Sequence, residues 1–401
     1  MNTIQAWLQR SLNSLDPWLD AIFPVATALI CAKQRLAGYS LLVIYLVLRL
    51  LQRSDREPWR WILISLLVVN AGIIIQDRDF KPGGPSDYLI VALSFAAGFQ
   101  RTQKQWRTSL AWMSSCIIPL LALSLAAGDK LIQLNSSFTG FNINRVGFLA
   151  GLTVIFSYCL ALQSNHQARR GLGALLLAGG ALETILTQSR AAIAVPLVAI
   201  AVDQSSRINW NKQKAAVTVL GLTLIGLTTF HIWYGGNSSG FSNKIADENR
   251  ITTLRCWVAS TGSDSKSLLL GQGYGKTVQE KCGPNQLSQL INRDKPLAHA
   301  HNFYIQLLGE TGLTGLLLGM GLTIKALQQA WKKGASNNGL LGRPLTTYLL
   351  LMAMGATWHT MLINQVLVGF SLAALTAKDH DPSSADAATH DTQPSATAAP
   401  G

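Results

Sequence analysis

A polar junction, His299-Ala300-His301-Asn302, holds the side chains of this chain best suited to acid-base chemistry. It ends a long polar segment and opens an apolar run that carries Glu310. A neutral imidazole accepts a proton at neutral pH, which makes His301 a candidate general base. The alternative is a satisfied histidine at the start of a helix.

Glu310 follows His301 by nine residues. On a straight helix this spacing places the two positions on opposite faces, about 13 Å apart along the axis. Glu310 is therefore not expected to orient His301. A role in packing or in helix pairing suits it better, because Gly312 and Gly315 would allow close contact with a neighbouring helix.

Arg190 lies in a short turn between two apolar runs. A lone arginine there is either an interface anchor or a functional cation, and a turn of this kind has little need for an anchor. Glu183 precedes it by seven residues on about the same helix face. Glu183 either pairs with Arg190 through intermediates or is neutral, and a direct catalytic role is the weaker alternative.

The composition indicates which elements must position these residues. Of 401 residues, 49% are apolar and 13% are charged, and the apolar residues form long runs. This pattern is typical of a polytopic membrane protein. The net charge of +13 would suggest nucleic-acid binding in a soluble chain, but the Lys and Arg residues lie between apolar runs. Membrane topology explains them better, and no nucleic-acid partner is expected.

The sequence predicts an all-α integral membrane protein with about twelve transmembrane helices and one large outer loop that contains short helices. The apolar runs lie near Pro17–Ala32, Leu36–Leu51, Trp61–Ile75, Asp87–Phe99, Ser109–Ala127, Val146–Leu162, Gly171–Thr187, Ala191–Val202, Ala215–Trp233, Asn302–Ile324, Leu345–Thr357 and Ile363–Ala377. With a cytoplasmic N-terminus, the inner segments hold 18 Lys and Arg and the short outer loops hold 7. This bias predicts that both termini are cytoplasmic.

The chain divides into a membrane domain and smaller parts. Residues 1–20 have apolar positions at helical spacing and predict an interfacial amphipathic helix, not a cleavable signal peptide. Residues 17–377 are expected to form a transmembrane domain that carries the candidate catalytic residues and includes the large loop at 234–300. The tail at 378–401 is rich in Ala, Ser, Thr, Pro and Asp, and we expect it to be disordered and cytoplasmic.

The predicted topology brings several separately encoded candidates to one face of the membrane. Six residues from different parts of the chain fall on the outer side: Arg145, Arg190, Arg250, Arg255, His299 and His301. This convergence is the main reason to expect a site there.

The large loop has further features. The GQGYG stretch at Gly271–Gly275 lacks the flanking strand and helix of a nucleotide-binding loop, so we interpret it as a turn. Cys256 and Cys282 are candidates for a disulfide in an oxidising compartment, whereas the other three cysteines lie in spans and suit packing. His299 and His301 alone are too few ligands for a metal site.

Four short motifs of the sequence are similar to those of a known protein family. They are NRVG at Asn144–Gly147, TQSRAAIAV at Thr187–Val195, RITTLRCW at Arg250–Trp257 ahead of LLLGQGYG, and HAHNFYIQLLGETGLTG at His299–Gly315. Their order, spacing and shared sidedness, within a matching twelve-helix profile, resemble the O-antigen ligase and polymerase superfamily.

The resemblance implies a glycosyltransferase that needs neither metal nor cofactor and acts at the periplasmic face of the bacterial inner membrane. In the ligase branch, a glycan on undecaprenyl pyrophosphate is transferred to a sugar hydroxyl of the lipid A-core, which completes lipopolysaccharide. The family's essential His corresponds to His301 and its first essential Arg to Arg190. The second Arg corresponds to Arg250 or Arg255, with Arg250 favoured by the residues that follow it.

The chemistry suits these assignments. Guanidinium groups bind phosphate oxygens bidentately and would stabilise the leaving pyrophosphate, while His301 would accept the proton of the attacking hydroxyl or orient the phosphates. Supporting roles are assigned to His299, Asn302, Arg145 and Glu310.

Two alternatives stay open at this point. An O-antigen polymerase of the same superfamily would extend a glycan on its lipid carrier, and the motifs do not separate it from a ligase. A transporter or flippase would usually show internal repeats and charges near the middle of several spans. The sequence has no clear repeat, and its spans carry few charges apart from Glu183 and Glu310.

Overall fold

The computed structural model describes residues 18–52, 84–99, 101, 103–127, 143–163, 166–187, 190–207, 244–272, 300, 302–333, 342–355 and 362–375. Across these residues it has thirteen α-helices and no strand, so the all-helical prediction is confirmed for the described part of the chain. The helices are α1 (Ile22–Cys31), α2 (Arg35–Leu51), α3 (Gly84–Gly98), α4 (Gln103–Ser114), α5 (Ile117–Ala127), α6 (Ile143–Gln163), α7 (Gln167–Leu186), α8 (Arg190–Arg207), α9 (Lys244–Thr261), α10 (Ser265–Leu270), α11 (Phe303–Lys333), α12 (Gly342–Gly355) and α13 (Leu362–Ala374).

Ten of the twelve predicted apolar runs fall wholly or mostly on described residues, and the described part of each is mainly helical. The runs near Trp61–Ile75 and Ala215–Trp233 lie outside the described residues, as do residues 1–17 and the tail at 378–401. In the described part of the chain, the 22-residue helical stretch Gln105–Ala126, which runs through α4 and α5, is long and apolar enough to cross a membrane. Four other apolar helices there are shorter.

Helices α6, α7 and α8 form two successive hairpins. Each connection spans only three residues, and the three helices pack against one another. Their close approach needs small residues, since a Cβ added at Gly173 would lie 2.5 Å from the backbone N of Ala161. Because each hairpin reverses the chain direction, α6 and α8 run parallel and begin at the same end of the bundle.

Helix α13 lies at the centre of an aromatic cluster. Its residues from Ile363 to Phe370 are all buried, as expected for a helix surrounded by others. The ring of Phe370 has its centroid 5.6 Å from that of Phe23 on α1, 5.4 Å from Tyr45 on α2 and 5.6 Å from Trp106 on α4. These contacts join helices that are far apart in sequence into one core.

Candidate functional site

The polar junction leads directly into helix α11. Asn302 caps this helix, because its Oδ1 accepts a hydrogen bond from the backbone N–H of Ile305 at 3.1 Å. Ala300 is fully buried. His299 and His301 lie outside the described residues. As the cap, Asn302 sets where the helix after His301 begins, and this is a structural way in which it could support the site.

Helix α9, which carries Arg250 and Arg255, packs against α11. The contact is made by Trp257, which is 3% exposed and forms a small hydrophobic cluster with Ala300. Its indole ring leaves no room at Gly309 of α11, where an added Cβ would lie 2.5 Å from Cε3. The large loop is thus attached to the helix that follows the histidine pair.

The two loop arginines differ in their position on α9. Thr253, Trp257, Ser260 and Thr261 are buried and define the packed face. Arg255 is exposed, as are Val258 and Ala259. Position 250 precedes Trp257 by seven residues, which at 100° per residue brings the two positions within about 20° on the helix. By helix register, position 250 lies on the same side of α9 as Trp257 and position 255 on the opposite side, while the side chain of Arg250 lies outside the described groups.

The loop meets α11 a second time at a kink. Gly312 leaves the helical conformation with φ 68° and ψ −169°, and Gly271 at the end of α10 has φ 75°. The backbone N–H of Gln272 donates to the carbonyl of Gly309 at 2.9 Å, and Oγ1 of Thr314 donates to the carbonyl of Leu269 at 2.8 Å. The turn from Leu269 to Gln272 is therefore seated in the kink of α11.

These contacts refine what was expected of the glycines. The GQGYG stretch begins as a turn at Gly271, as predicted, and Gly273 and Gly275 lie outside the described residues. Gly312 does allow a close approach, and the element that it receives is the end of the short loop helix α10 with the turn that follows it. At Gly315 the nearest atoms to an added Cβ belong to Thr311 of the same helix. The spacing of residues near Gly312 could not predict the kink, because the kink depends on contact with a turn that is distant in the sequence.

Glu310 is buried next to the kink. Nε2 of Gln306, one turn earlier, donates to its Oε1 at 2.9 Å. Its backbone carbonyl lies against the turn, since a Cβ added at Gly271 would be 2.4 Å from that oxygen. These surroundings suit the packing role that the sequence predicts for Glu310.

Arg145 and Arg190 occupy corresponding places in parallel helices. Arg145 is in the first turn of α6 and Arg190 begins α8, so their backbones lie at the same end of the double hairpin. Their side chains lie outside the described groups. The neighbouring residues Val146, Ala191 and Phe303 all belong to one large hydrophobic core or pack against it. The first turns of α6, α8 and α11 thus border the same core.

Glu183, on the last turn of α7, has no exposed surface. Its Oε1 accepts a hydrogen bond from Oγ of Ser124 at 2.6 Å. Ser124 lies near the end of α5, so this bond joins the last turns of two helices. A partner on α5 was not foreseen from the sequence, which suggested only Arg190.

A second polar cluster was missed by sequence reasoning. Asp20 accepts hydrogen bonds from Arg49 at 2.6 Å and from Arg101 at 3.1 Å, and also from Tyr45 and Ser109. Both arginines are buried, at 2% and 5% exposure. The available signal was the carboxylate of Asp20 inside an apolar run, since such a group requires a partner.

Cysteines and possible metal ligands add little to this site. Cys256 is disulfide-bonded, while Cys282 lies outside the described residues, so their pairing stays a prediction. Cys31, Cys116 and Cys159 are free, and the last two are buried. Among the residues that the structure describes, no group of three or more His, Cys, Asp and Glu side chains could hold a metal ion.

Comparison with protein-family models and with curated proteins finds no match to this chain. A functional conclusion therefore depends on the chain's own residues. Among the described residues, the first turns of α6, α8 and α11 border one hydrophobic core, and the loop helix α9 is attached to α11. Arginines carried by two of these helix starts would suit the binding of an anionic group.

Proposed function

We propose that this protein is a polytopic inner-membrane glycosyltransferase that transfers an O-antigen glycan from undecaprenyl pyrophosphate to the lipid A-core at the periplasmic face. The observation that carries the proposal is the packing of α9 against the start of α11 through Trp257, Ala300 and Gly309. This contact brings an arginine-bearing helix to the helix that begins after His301.

Contacts between helix ends support the twelve-span topology that the proposal needs. Three sets join ends that this topology assigns to the cytoplasmic side: Asp20 with Arg49 and Arg101, Tyr158 with Asp203, and Ser206 with Arg343. One joins two ends that it assigns to the outer side, Ser124 with Glu183. An incorrect inside-outside alternation would pair ends from opposite sides. The apolar stretch Gln105–Ala126 gives independent support for membrane insertion.

The reaction needs charge stabilisation and one proton transfer. The acceptor hydroxyl attacks the anomeric carbon, the bond from that carbon to the phosphate oxygen breaks, and the pyrophosphate leaves with the electron pair. Arg190 and Arg250 stabilise the leaving group by bidentate hydrogen bonds to its oxygens. His301 accepts the proton of the hydroxyl. Both substrates are lipids, which explains a site at the edge of the bilayer.

The test is a reconstitution with defined substrates. Purified protein in proteoliposomes is incubated with undecaprenyl pyrophosphate-linked glycan and lipid A-core, and the products are separated by gel electrophoresis and mass spectrometry. Glycan on the lipid A-core is the expected product. A longer glycan on the carrier would instead identify a polymerase, and the absence of any new covalent product would support transport.

A further inference from the structure

We propose that the kink of α11 is the positioning element of the site: it receives the Leu269–Gln272 turn, and so fixes the arginine-bearing helix α9 relative to the start of α11. We name Gly309, Gly312 and Thr314 the kink seat. The inference rests on the proposed function for its catalytic meaning, whereas the contact itself is a property of the structure.

The kink seat and the turn contact each other through backbone atoms. A Cβ added at Gly271 would lie 2.4 Å from the carbonyl carbon of Glu310, and one added at Gly312 would lie 2.4 Å from the N of Gly271. Both glycines also have left-handed φ values, which side chains disfavour. Backbone atoms cannot rotate away as a flexible side chain can, so the turn and the kink fit together only while both residues are glycine.

The turn also hydrogen-bonds to the backbone of α11 one turn before the kink. The carbonyl of Gly309 accepts a hydrogen bond from the N–H of Gln272, and Gly312, three residues later, leaves the helical conformation. The broken helix is stabilised by the loop, and the loop is held by the broken helix. Glycine is a common place for such kinks.

The same turn is joined to α9. The side-chain amide of Gln272 donates to the carbonyl of Ser260, and Oγ of Ser260 donates to Oε1 of Gln272 at 3.2 Å. One turn earlier on α9, Trp257 packs on Gly309 of the kink seat. Helix α9 is therefore fixed at two points to one short stretch of α11, which leaves it little freedom to rotate or slide.

The kink further separates two parts of α11 with different surroundings. Residues from Phe303 to Gly312 are buried or half-buried, whereas exposed apolar side chains begin at Leu313 and continue with Leu317, Leu318, Met320 and Ile324. The kink thus lies where the covered part of α11 ends and its exposed apolar part begins, and the kink seat holds α9 against the covered part.

The test uses Gly312→Ala, with Gly321→Ala as the matched control, because an added Cβ at Gly321 meets nothing within 4 Å. Hydrogen exchange is followed in residues 244–272 of the full-length protein in nanodiscs, together with the kinetics of glycan transfer. We expect Gly312→Ala to increase exchange in α9 and α10 while α6 to α8 keep their protection. Transfer should lose at least tenfold in kcat/KM for the donor, and Gly321→Ala should match the wild type in both measurements.

A second pair of variants probes the same seat more gently. Thr314→Val removes the hydroxyl that donates to Leu269, while Thr314→Ser keeps it. We expect faster loop exchange and a smaller loss of transfer for the valine variant, and recovery of both for the serine variant. Unchanged loop exchange in Gly312→Ala would overturn the inference. Increased loop exchange in a protein that transfers no glycan even as the wild type would retain the contact and reject the proposed function.

Discussion

Asp20 and Arg49 form a buried ion pair, with 2.6 Å between Oδ1 and Nη2. The two residues are 29 positions apart, and Arg101, 81 positions from Asp20, binds the other carboxylate oxygen. One carboxylate therefore joins the region before α1 to α2 and to the segment between α3 and α4. The guanidinium of Arg101 also lies over the rings of Trp106 and Phe370, which connects the pair to the aromatic core.

We predict that Asp20→Asn destabilises the protein by about 3 kcal/mol or more, because two buried guanidinium groups lose their counter-ion. Unfolding in a titration of denaturing detergent measures the change. Arg169→Ala, at an exposed position, serves as the control and should unfold like the wild type. Equal midpoints for Asp20→Asn and the wild type would show that the carboxylate is not needed for stability.

Arg190→Lys should keep the positive charge but lose about 100-fold in transfer, since an ammonium group cannot reproduce the bidentate fork on phosphate. Glycan transfer in proteoliposomes at matched protein levels checks this. Arg169→Lys, on the predicted cytoplasmic side, should be fully active. Transfer by Arg190→Lys at the wild-type rate would remove the guanidinium clamp from the mechanism.

His301→Ala should lose about 100-fold or more in kcat, the size expected for removal of a general base. His299→Ala provides the comparison, because that residue is assigned only a supporting role. We expect a clear difference between the two variants in the same assay. A greater loss of kcat in His299→Ala than in His301→Ala would assign the general base to His299.

Arg250→Lys should impair transfer by about 100-fold, whereas Arg255→Lys should stay close to the wild-type rate. The reason is the register of α9, in which position 250 lies on the same side as Trp257 while Arg255 is exposed. Donor titrations that give kcat and KM for both variants distinguish the two arginines. A greater loss in Arg255→Lys would contradict the choice made from helix register.

Glu183→Gln should transfer glycan at nearly the wild-type rate, because glutamine can still accept the hydrogen bond from Ser124. This outcome is expected if Glu183 serves packing between α5 and α7. A loss as large as that of His301→Ala would instead indicate a direct part in the chemistry. Unfolding of Glu183→Leu, which accepts no hydrogen bond, measures the structural contribution separately.

Most of the helices were predictable because they contain apolar runs, whereas α9 and α10 lie in the large loop, where only short helices were expected. Ten such runs fall wholly or mostly on described residues, where they are mainly helical, and Asn302 was expected beside a helix start, where it is indeed the cap. The turn at Gly271 was also readable, because glycines end helices and mark turns. These features are encoded within a few neighbouring residues.

Contacts between distant residues were not predictable in the same way. No local pattern pairs Asp20 with Arg49 and Arg101, and nothing near Gly312 indicates that a loop turn fills its kink. The choice between Arg250 and Arg255 needed the packed face of α9. The spacing of Thr253, Trp257 and Ser260 places these residues on one face of the helix. Only the contact of Trp257 with Gly309 shows that this face packs against α11.

The attachment of α9 to α11 has a consequence for synthesis of the protein. Trp257 is made before Ala300 and Gly309, on which it packs, so in a growing chain this contact cannot form until α11 follows. Chains are made from the N-terminus at about 5–20 residues per second, so this interval lasts seconds. Assembly of the loop is therefore a late step, and the site is completed only after most of the bundle already exists.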